Sequence, residues 1–565
     1  VRLILACIAV SFMLHEISRA QVENVPVDHP VYSFLKRMEL KGIISRYFDV
    51  ILPLSRGEVA KFLVQSKQHD DELTQVERET LADFFLEFQF DISKTTDGSQ
   101  EFFKFPEQSL PEAVGGFFNN SQKYLTTYAD STVSVFVDGL IDIDARRSTG
   151  DALGNEHAEY IQFGGRIQGD VGDHIGYYVQ GTNAELYGSR AVLDRDPHLS
   201  QSLTLNDLTA QNFDFTDGYA RYQSGILSVE IGQERITWGT GYGDKLVLSE
   251  NPADFPFVRM DAQYKSFKYT IINGWLLGAH TSVVYTLPPD TTRQYNETLM
   301  DDKFFAAHRL GFSLSGLDLG FEEMLIYSGR SYDLAYGNPV TLFESAERDR
   351  GQLDKNFWVF DAQVHYWKNV ELQGSIMFGD INFARWFTND IDNQDAWQVG
   401  AMFIDPLGVS NQTFFLEYTH IEPYMFSFNR SPDNYYGSGG RILGDTIGPN
   451  AESYLASLTT TWTHKITSLI SYEFVRKGSN VYKGDSLVDN VGGDYLLPWL
   501  PPDSRQKQWL GGHLVLEYRL TLGVTYELFK KMLINVHYIW TAVDNNDLQQ
   551  FNRNKDYGMN VSFDY

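Results

Sequence analysis

The chain has 565 residues, too many for one ordinary soluble core, so it holds either several domains or one large closed architecture. A net charge of −28 argues against nucleic acid as a partner, and it repels strongly anionic polymers unless divalent ions or local basic patches intervene. Aromatic residues make up 14% while mean hydropathy is negative, a mixture that suits a barrel showing lipid one face and water the other.

Arg2, a largely apolar stretch from Leu3 to Leu14, and Ser18-Arg19-Ala20 before Gln21 read as a secretory signal peptide, residues 1–20. A lipobox, Ile4-Leu5-Ala6-Cys7, is the competing reading. Only six residues precede Cys7, however, and the apolar stretch runs past it. Cys7 is the only cysteine, so the exported chain gains nothing from disulfides. After residue 20 there is no run of 18 apolar residues, which leaves no helical membrane anchor in the sequence.

Residues 21–110 form the next unit. Val31, Phe34, Leu35 and Met38 share one helical face, and the pattern stops at Gly42. Ser55-Arg56-Gly57-Glu58 is a capping box opening a helix with Val59, Phe62 and Leu63 on its apolar side. Thr74-Gln75-Val76-Glu77 is a second, ahead of Leu81, Phe84, Phe85 and Phe88. The spacing predicts a small bundle of three short helices, followed by a linker over 111–131. The wording of residues 27–45 and 52–64 resembles an S-layer-homology-type module in a single degenerate copy. That resemblance implies peptidoglycan or a periplasmic export component as a partner, the alternative being a small folded cap under a barrel.

From 132 to 565 the period changes to two. Val133, Val135 and Val137 alternate with Ser134, Phe136 and Asp138. At the other end Tyr557, Met559, Val561, Phe563 and Tyr565 alternate with Gly558, Asn560, Ser562 and Asp564. Tight turns are predicted near 171–174, 224–226, 266–267, 315–317, 367–369, 405–411, 463–466 and 529–532. With a first strand over 132–146 and a last over 556–565, these give eighteen strands. Between them fall long connections at 147–157, 185–217, 238–259, 276–306, 328–355, 379–395, 422–452, 476–511 and 540–555. Short turns inside, long loops outside and an even strand count describe an outer-membrane barrel with both ends in the periplasm. The fold expected is therefore mainly β: an 18-stranded antiparallel transmembrane β-barrel, a small N-terminal periplasmic α-helical domain, and extracellular loops. The closing aromatic also resembles the signal read by outer-membrane assembly machinery.

Three segments, 232–261, 306–340 and 417–453, resemble the Wzi family of capsule-assembly outer-membrane proteins. The resemblance rests on Trp238-Gly239-x-Gly241, Leu248-Ser249-x-Asn251, Tyr336-x-Asn338-Pro339 and Leu443-Gly444-x-x-x-Gly448-Pro449-Asn450. It implies an eighteen-stranded barrel with a periplasmic helical bundle, acting as a surface lectin that holds capsular or exopolysaccharide.

Alternation sends Asp138, Asp142, Asp144, Arg166, Gln168, Glu371, Glu417, His513, Glu517, Arg519 and His537 into the lumen. Their mixed signs predict a hydrogen-bonded network rather than an ion path. Sugar recognition needs aromatic faces for the rings and carboxylates or amides for hydroxyls. In the long loops these are Trp238, Tyr242, Tyr332, Tyr336, Asn338, Trp386, Tyr424, Tyr435, Tyr436 and Trp499. Asp390-Ile391-Asp392-Asn393-Gln394-Asp395 lacks the glycine and distal glutamate of a calcium loop and reads as a solvated acidic loop. Gly239-Thr240-Gly241-Tyr242-Gly243 lacks the spacing and strand–helix setting of a nucleotide loop. No nucleophile constellation is legible, so no catalytic residue, no metal and no cofactor are expected. The expectation is a non-enzymatic, monomeric polysaccharide binder; a porin tethered to peptidoglycan by residues 21–110 is the alternative.

Overall fold

The computed structural model of the protein describes residues 21–103, 118–130, 132–151, 154–172, 174–193, 205–206, 211–286, 294–351, 354–380, 388–501, 503–545 and 547–565. The expected signal peptide and Trp386 lie outside the described residues.

Eighteen long antiparallel strands close a barrel. In chain order they are β1 (Ser134–Gly150), β2 (Gly154–Val171), β3 (Ile175–Gly188), β4 (Gln211–Ser224), β5 (Leu227–Glu234) and β6 (Phe255–Tyr264). Next come β7 (Phe267–Thr286), β8 (Gln294–Leu314), β9 (Leu317–Ser328), β10 (Lys355–Val364), β11 (Val370–Asp380) and β12 (Gln394–Ile404). The last six are β13 (Gln412–Ile421), β14 (Ala451–Thr463), β15 (Ile466–Ser479), β16 (His513–Phe529), β17 (Met532–Asn545) and β18 (Gln550–Asp564). All eight tight turns fall where the sequence places them. Several hold a residue in the left-handed region, among them Asn369 and Lys531. Closure is made by β18 on β1, from Asn554 opposite Gly150 to Asp564 opposite Leu140. The period-two pattern has its expected consequence: Phe136 and Asp138 are buried inside, whereas Ile141 and Ile143 are exposed outside.

Three long connections are shorter than the sequence suggests. The β1–β2, β7–β8 and β17–β18 ladders run on to Gly150/Gly154, Thr286/Gln294 and Asn545/Gln550. Polar residues there, such as Arg147 and Lys555, break the hydrophobic alternation without breaking the backbone ladder, because hydrogen bonding between strands does not require an apolar face.

The helical unit comprises α1 (Val31–Leu40), α2 (Arg56–Gln68), α3 (Gln75–Glu87) and a short α4 (Gln89–Ser93). Both capping boxes form: Ser55 accepts from the Glu58 N–H, and Thr74 from the Glu77 N–H. The predicted apolar faces meet in one core of Val31, Leu35, Met38, Val59, Leu63, Leu81, Phe84 and Phe88. The unit does not hang below the barrel as a cap. It is lodged within the short-turn mouth, joined to the wall on every side. The Val22 N–H donates to Asp170 (2.9 Å), and the Asn24 amide donates to Glu230 (3.0 Å). Lys36 pairs with Glu371 (2.6 Å), and Arg37 with Asp405 (2.5 Å). His464 contacts Glu79 (3.0 Å), and Lys530 contacts Glu87 (3.3 Å). It is a plug, and its charges answer charges on the wall.

A second departure lies on the outer face. The β9–β10 connection folds back down the outside of the barrel as a flap, carrying helix α5 (Phe343–Arg350). Phe343 stacks on His308 (4.5 Å), and the Pro339 carbonyl accepts from the Tyr269 hydroxyl. Glu323 accepts the Phe343 and Glu344 N–H groups (2.7 and 2.8 Å), capping α5 from the wall, and pairs with His308 (3.2 Å). His308 and Glu323 point outward, where hydrocarbon would leave their charges unsolvated; the flap buries both.

The Tyr565 N–H donates to the Gly139 carbonyl (2.8 Å) and the Gly139 N–H to the Tyr565 carbonyl (2.6 Å), while Phe102 packs on its ring (5.4 Å). Deleting Phe563–Tyr565 removes this closure and the Phe563–Ile141 pairing. The expected result is loss of folded barrel from the membrane fraction, read by heat-modifiable gel mobility; normal levels of folded protein would contradict the closure drawn here.

Candidate functional site

Two connections that begin at the long-loop mouth turn down into the lumen. The β5–β6 loop (235–254) forms an internal bridge in which Trp238 and Leu248 exchange backbone hydrogen bonds (2.9 Å each). Its Thr237–Trp238 then pairs antiparallel with Ile51–Leu52 of the plug, and the Gly239 N–H donates to the Val50 carbonyl (2.9 Å). The β13–β14 loop (422–450) lies on top. Around this joint grows the main core, with Val50, Ile51, Trp238, Val247, Phe257, Phe305, Met324, Phe357, Met425 and Tyr436 all buried. The lumen around this joint is therefore filled with packed side chains, while a cavity of about 830 Å³ remains between the plug and the wall and reaches Tyr242, Gln363 and Phe415.

The motifs that carry the family resemblance are joints in this filling. Ser249 donates to the Gly444 carbonyl (2.7 Å), and the Asn251 amide to the Ile442 carbonyl (2.8 Å), fastening one loop to the other. A Cβ on Gly444 would lie 2.1 Å from the Leu246 carbonyl oxygen, so only glycine permits the approach. Asn450 donates to the Gly478 carbonyl (3.1 Å) and accepts from the Leu510 N–H (2.8 Å), tying the start of β14 to the β15–β16 loop. The glycine-rich run 239–243 lies against wall amides and acids. Tyr242 and Gly243 donate N–H groups to Glu417 (2.5 and 3.0 Å), the Tyr242 hydroxyl donates to Glu371 (2.9 Å), and Thr240 donates to Gln373 (2.7 Å). Burial first, then the neighbouring Glu371 carboxylate, pushes the Tyr242 hydroxyl far above the usual phenol range. It stays a neutral donor.

The remaining lumen wall, from β15 through β18 to β2, keeps the polar network that alternation predicts. Arg166 bridges Asp138 (3.1 Å) and Asp564 (2.9 Å), Lys531 also reaches Asp138 (2.7 Å), and Arg519 bridges Glu517 (2.7 Å) and Glu473 (3.3 Å). Arg519 retains 46% side-chain exposure inside the barrel, so this half is wet.

The sequence-selected aromatics divide accordingly. Trp238 and Tyr436 are fully buried in the core, and the Tyr436 hydroxyl donates to the Val247 carbonyl (2.6 Å). Tyr336 is fully buried under the flap, donating to Asp354 (2.7 Å), with Tyr332 stacked on Trp275 (5.5 Å). Tyr424 is buried and donates to the Asn490 carbonyl (2.5 Å); Tyr435 lies beneath Lys303, whose Nζ is 3.4 Å from the ring centroid. Asn338 is exposed on the flap.

Trp499 alone of the described aromatics on that roster stands half-exposed at the long-loop mouth, among groups suited to sugars. Its indole N–H donates to the Asp503 and Ser504 carbonyls (3.1 Å each), leaving a ring face toward the Arg505 guanidinium (5.5 Å). Arg505 in turn bridges Asp390 (2.9 Å) and Asp392 (2.7 Å) of the acidic loop. Leu496 and Leu500 are exposed beside it. Sequence reasoning took 390–395 as a solvated loop and missed Arg505, because the pairing spans more than a hundred residues and leaves no local pattern.

A family profile described as capsule assembly protein Wzi matches residues 150–556. Among curated protein sequences none matches the chain. Among solved structures, the chain is similar to Wzi of Escherichia coli, described as an outer membrane protein involved in group 1 capsule assembly and a carbohydrate-binding β-barrel. The TM-score is 0.54 at 12% identity, over 96% of this chain and 99% of that one. It also aligns with OprD of Pseudomonas aeruginosa, at TM-score 0.42 and 9% identity over 76% of this chain and 94% of that one. For OpdK of the same organism the values are 0.41 and 11%, over 76% and 99%.

If the joint between plug and inserted loop holds the interior, Trp238→Ala should cost roughly 3–5 kcal/mol and Gly444→Ala about 1–3 kcal/mol. Both should leave the strands folded while making residues 235–254 cleavable by added protease. Unchanged melting and unchanged cleavage in both variants would show that the joint does not hold the lumen filling.

Proposed function

The chain belongs to the capsule assembly protein Wzi family and is an outer-membrane β-barrel, and from that premise we propose that it binds and retains capsular or exopolysaccharide at the cell surface as a lectin, catalysing no reaction. The observation that supports this most is the contrast between a lumen plugged at its short-turn mouth and a furnished outer mouth. The plug meets the wall all round the short-turn mouth, and the inserted loops fill one half of the barrel above it, which suits a protein that holds a polymer rather than one that conducts solutes. Above them Trp499 offers an aromatic face beside the Arg505–Asp390–Asp392 group, whose carboxylates and guanidinium can meet sugar hydroxyls. These groups sit on loops braced by Asn450 and by the Ile391 N–H bond to the Arg505 carbonyl (3.0 Å), so little ordering is required when a glycan arrives.

The helical plug faces the periplasm in this reading. Its S-layer-like residues are engaged internally: Arg56 donates to Asp91 (2.8 Å), and Glu58 closes the Ser55 cap. That favours the plug as a structural closure over the plug as a peptidoglycan tether.

The purified protein is expected to bind the host's own surface polysaccharide with negligible single-channel conductance, and a deletion strain should shed polymer while still making it. Trp499→Ala should weaken binding roughly five- to thirtyfold, because stacking on a sugar is worth about 1–2 kcal/mol, without changing the melting temperature. Large steady conductance without glycan binding would replace this reading with the tethered porin, and so would full polymer retention in the deletion strain. The acidic chain adds a sign: chelating divalent ions should weaken binding of an anionic glycan and leave a neutral one unaffected.

A further inference from the structure

The geometry points to a divalent transition-metal site that clamps the plug to the barrel wall, with Glu39, Asp318 and His365 as ligands. Glu39 is in the last turn of α1, Asp318 is the second residue of β9, and His365 follows β10. One ligand oxygen or nitrogen from each lies within 4.8 Å of the others. Glu39 and Asp318 are 3% and 6% exposed, yet Oε1 of one, Oδ1 of the other and Nδ1 of His365 each lack a hydrogen-bond partner among the described residues. Three ligand side chains this close together, each with a buried polar atom left without a hydrogen bond, describe a place for an ion.

The backbone fixes the triad. The His365 N–H donates to the Gly316 carbonyl (3.0 Å), holding the two turns side by side, and the Asn369 N–H donates to the Leu40 carbonyl (2.7 Å), holding the end of α1 against them. Charge accounting agrees. Lys36 is shared among Glu39 (3.1 Å), Asp49 (2.9 Å) and Glu371 (2.6 Å), and the pairing Asp318 makes among the described residues is with His365 itself (Oδ2 to Nδ1, 3.8 Å). One imidazole with two carboxylates suits zinc or manganese. Bonds of about 2.0–2.2 Å would draw the ligand atoms to within roughly 3.5 Å of each other, a shift the Glu39 side chain can absorb. Nothing here depends on the glycan reading.

The full-length protein in detergent, stripped with chelator, is titrated with Zn²⁺ alone by calorimetry, and bound zinc is counted by elemental analysis. One tight equivalent is expected, with a raised melting temperature. Asp318→Asn and His365→Gln should each lose at least tenfold in affinity, and His365→Gln, at a partly exposed turn, should remain folded by heat-modifiable mobility. Co²⁺ in place of zinc should give visible d–d absorption in the parent and none in His365→Gln. His420→Ala, in the separate Asp395–His420–Glu422 group, is expected to change nothing. The proposal is overturned by no tight zinc, by full binding in folded His365→Gln, or by loss in His420→Ala instead.

Discussion

A backbone segment inside a barrel has to find partners for its N–H and C=O groups or remain in water. Here two segments enter from opposite mouths and satisfy each other. Ile51–Leu52 rise with the plug, Thr237–Trp238 descend with the β5–β6 loop, and they pair in the middle of the lumen. The core around Trp238 can be dry only because that pairing leaves few polar groups to hydrate. It also makes plug and loop one body. Arg259, buried in the wall, donates to the Pro53 carbonyl (3.2 Å), and the buried wall carboxylate of Glu371 depends on Lys36 for its counter-charge. Taking the helical unit away would leave Glu371 without that counter-charge and take an acceptor from Arg259, which keeps its wall partner Asp261 (2.9 Å), so the barrel interior and the plug are energetically coupled.

The same rule divides the rest of the molecule. Between β6 and β14 the inward residues are apolar, locked to the plug or inserted loops, or paired across the wall as Arg309 is with Asp361 (2.6 Å); from β15 round to β2 they include ion pairs open to water. On the outer face the rule runs in reverse, because hydrocarbon tolerates the His308–Glu323 pair only beneath a cover. The flap supplies it, and Glu323 serves the cover in return by capping α5. Lumen plug and outer flap are thus two answers to one problem, a polar wall residue facing the wrong solvent.

The parts of this architecture legible in the sequence were those written in local pattern. Capping boxes at Ser55 and Thr74, period-two alternation in β1 and β18, and the eight turns all express constraints among residues a few positions apart. What was illegible joins distant positions. Nothing local tells that Ile51 meets Trp238, that Glu323 caps Phe343, that Arg505 bridges Asp390 and Asp392, or that positions 39, 318 and 365 converge. Aromatics misled for a related reason. Tyr336 and Tyr436 sit in loops, where exposure is the default, but these loops fold onto the wall, and their rings are core.

That redistribution changes how a sugar-binding surface should be sought in such a barrel. Most of the loop aromatics are committed to fastening one segment to another: Tyr436 to Val247, Tyr424 to Asn490, Tyr336 to Asp354. Their hydroxyls are spent, so altering them disturbs the scaffold before it reaches any ligand. The rim left over, around Trp499, Arg505 and the 390–392 carboxylates, is small; it is carried by the β15–β16 loop, braced through Leu510 on Asn450, and by the β11–β12 loop, braced through the Ile391 N–H on the Arg505 carbonyl. Under the proposed function, selectivity among glycans would rest on a few groups at the tips of two loops, and rigidity on the buried joints beneath them. The tips can vary freely in sequence while the joints cannot, because a joint such as Gly444 against the Leu246 carbonyl admits one residue type and a solvent-facing tip admits many.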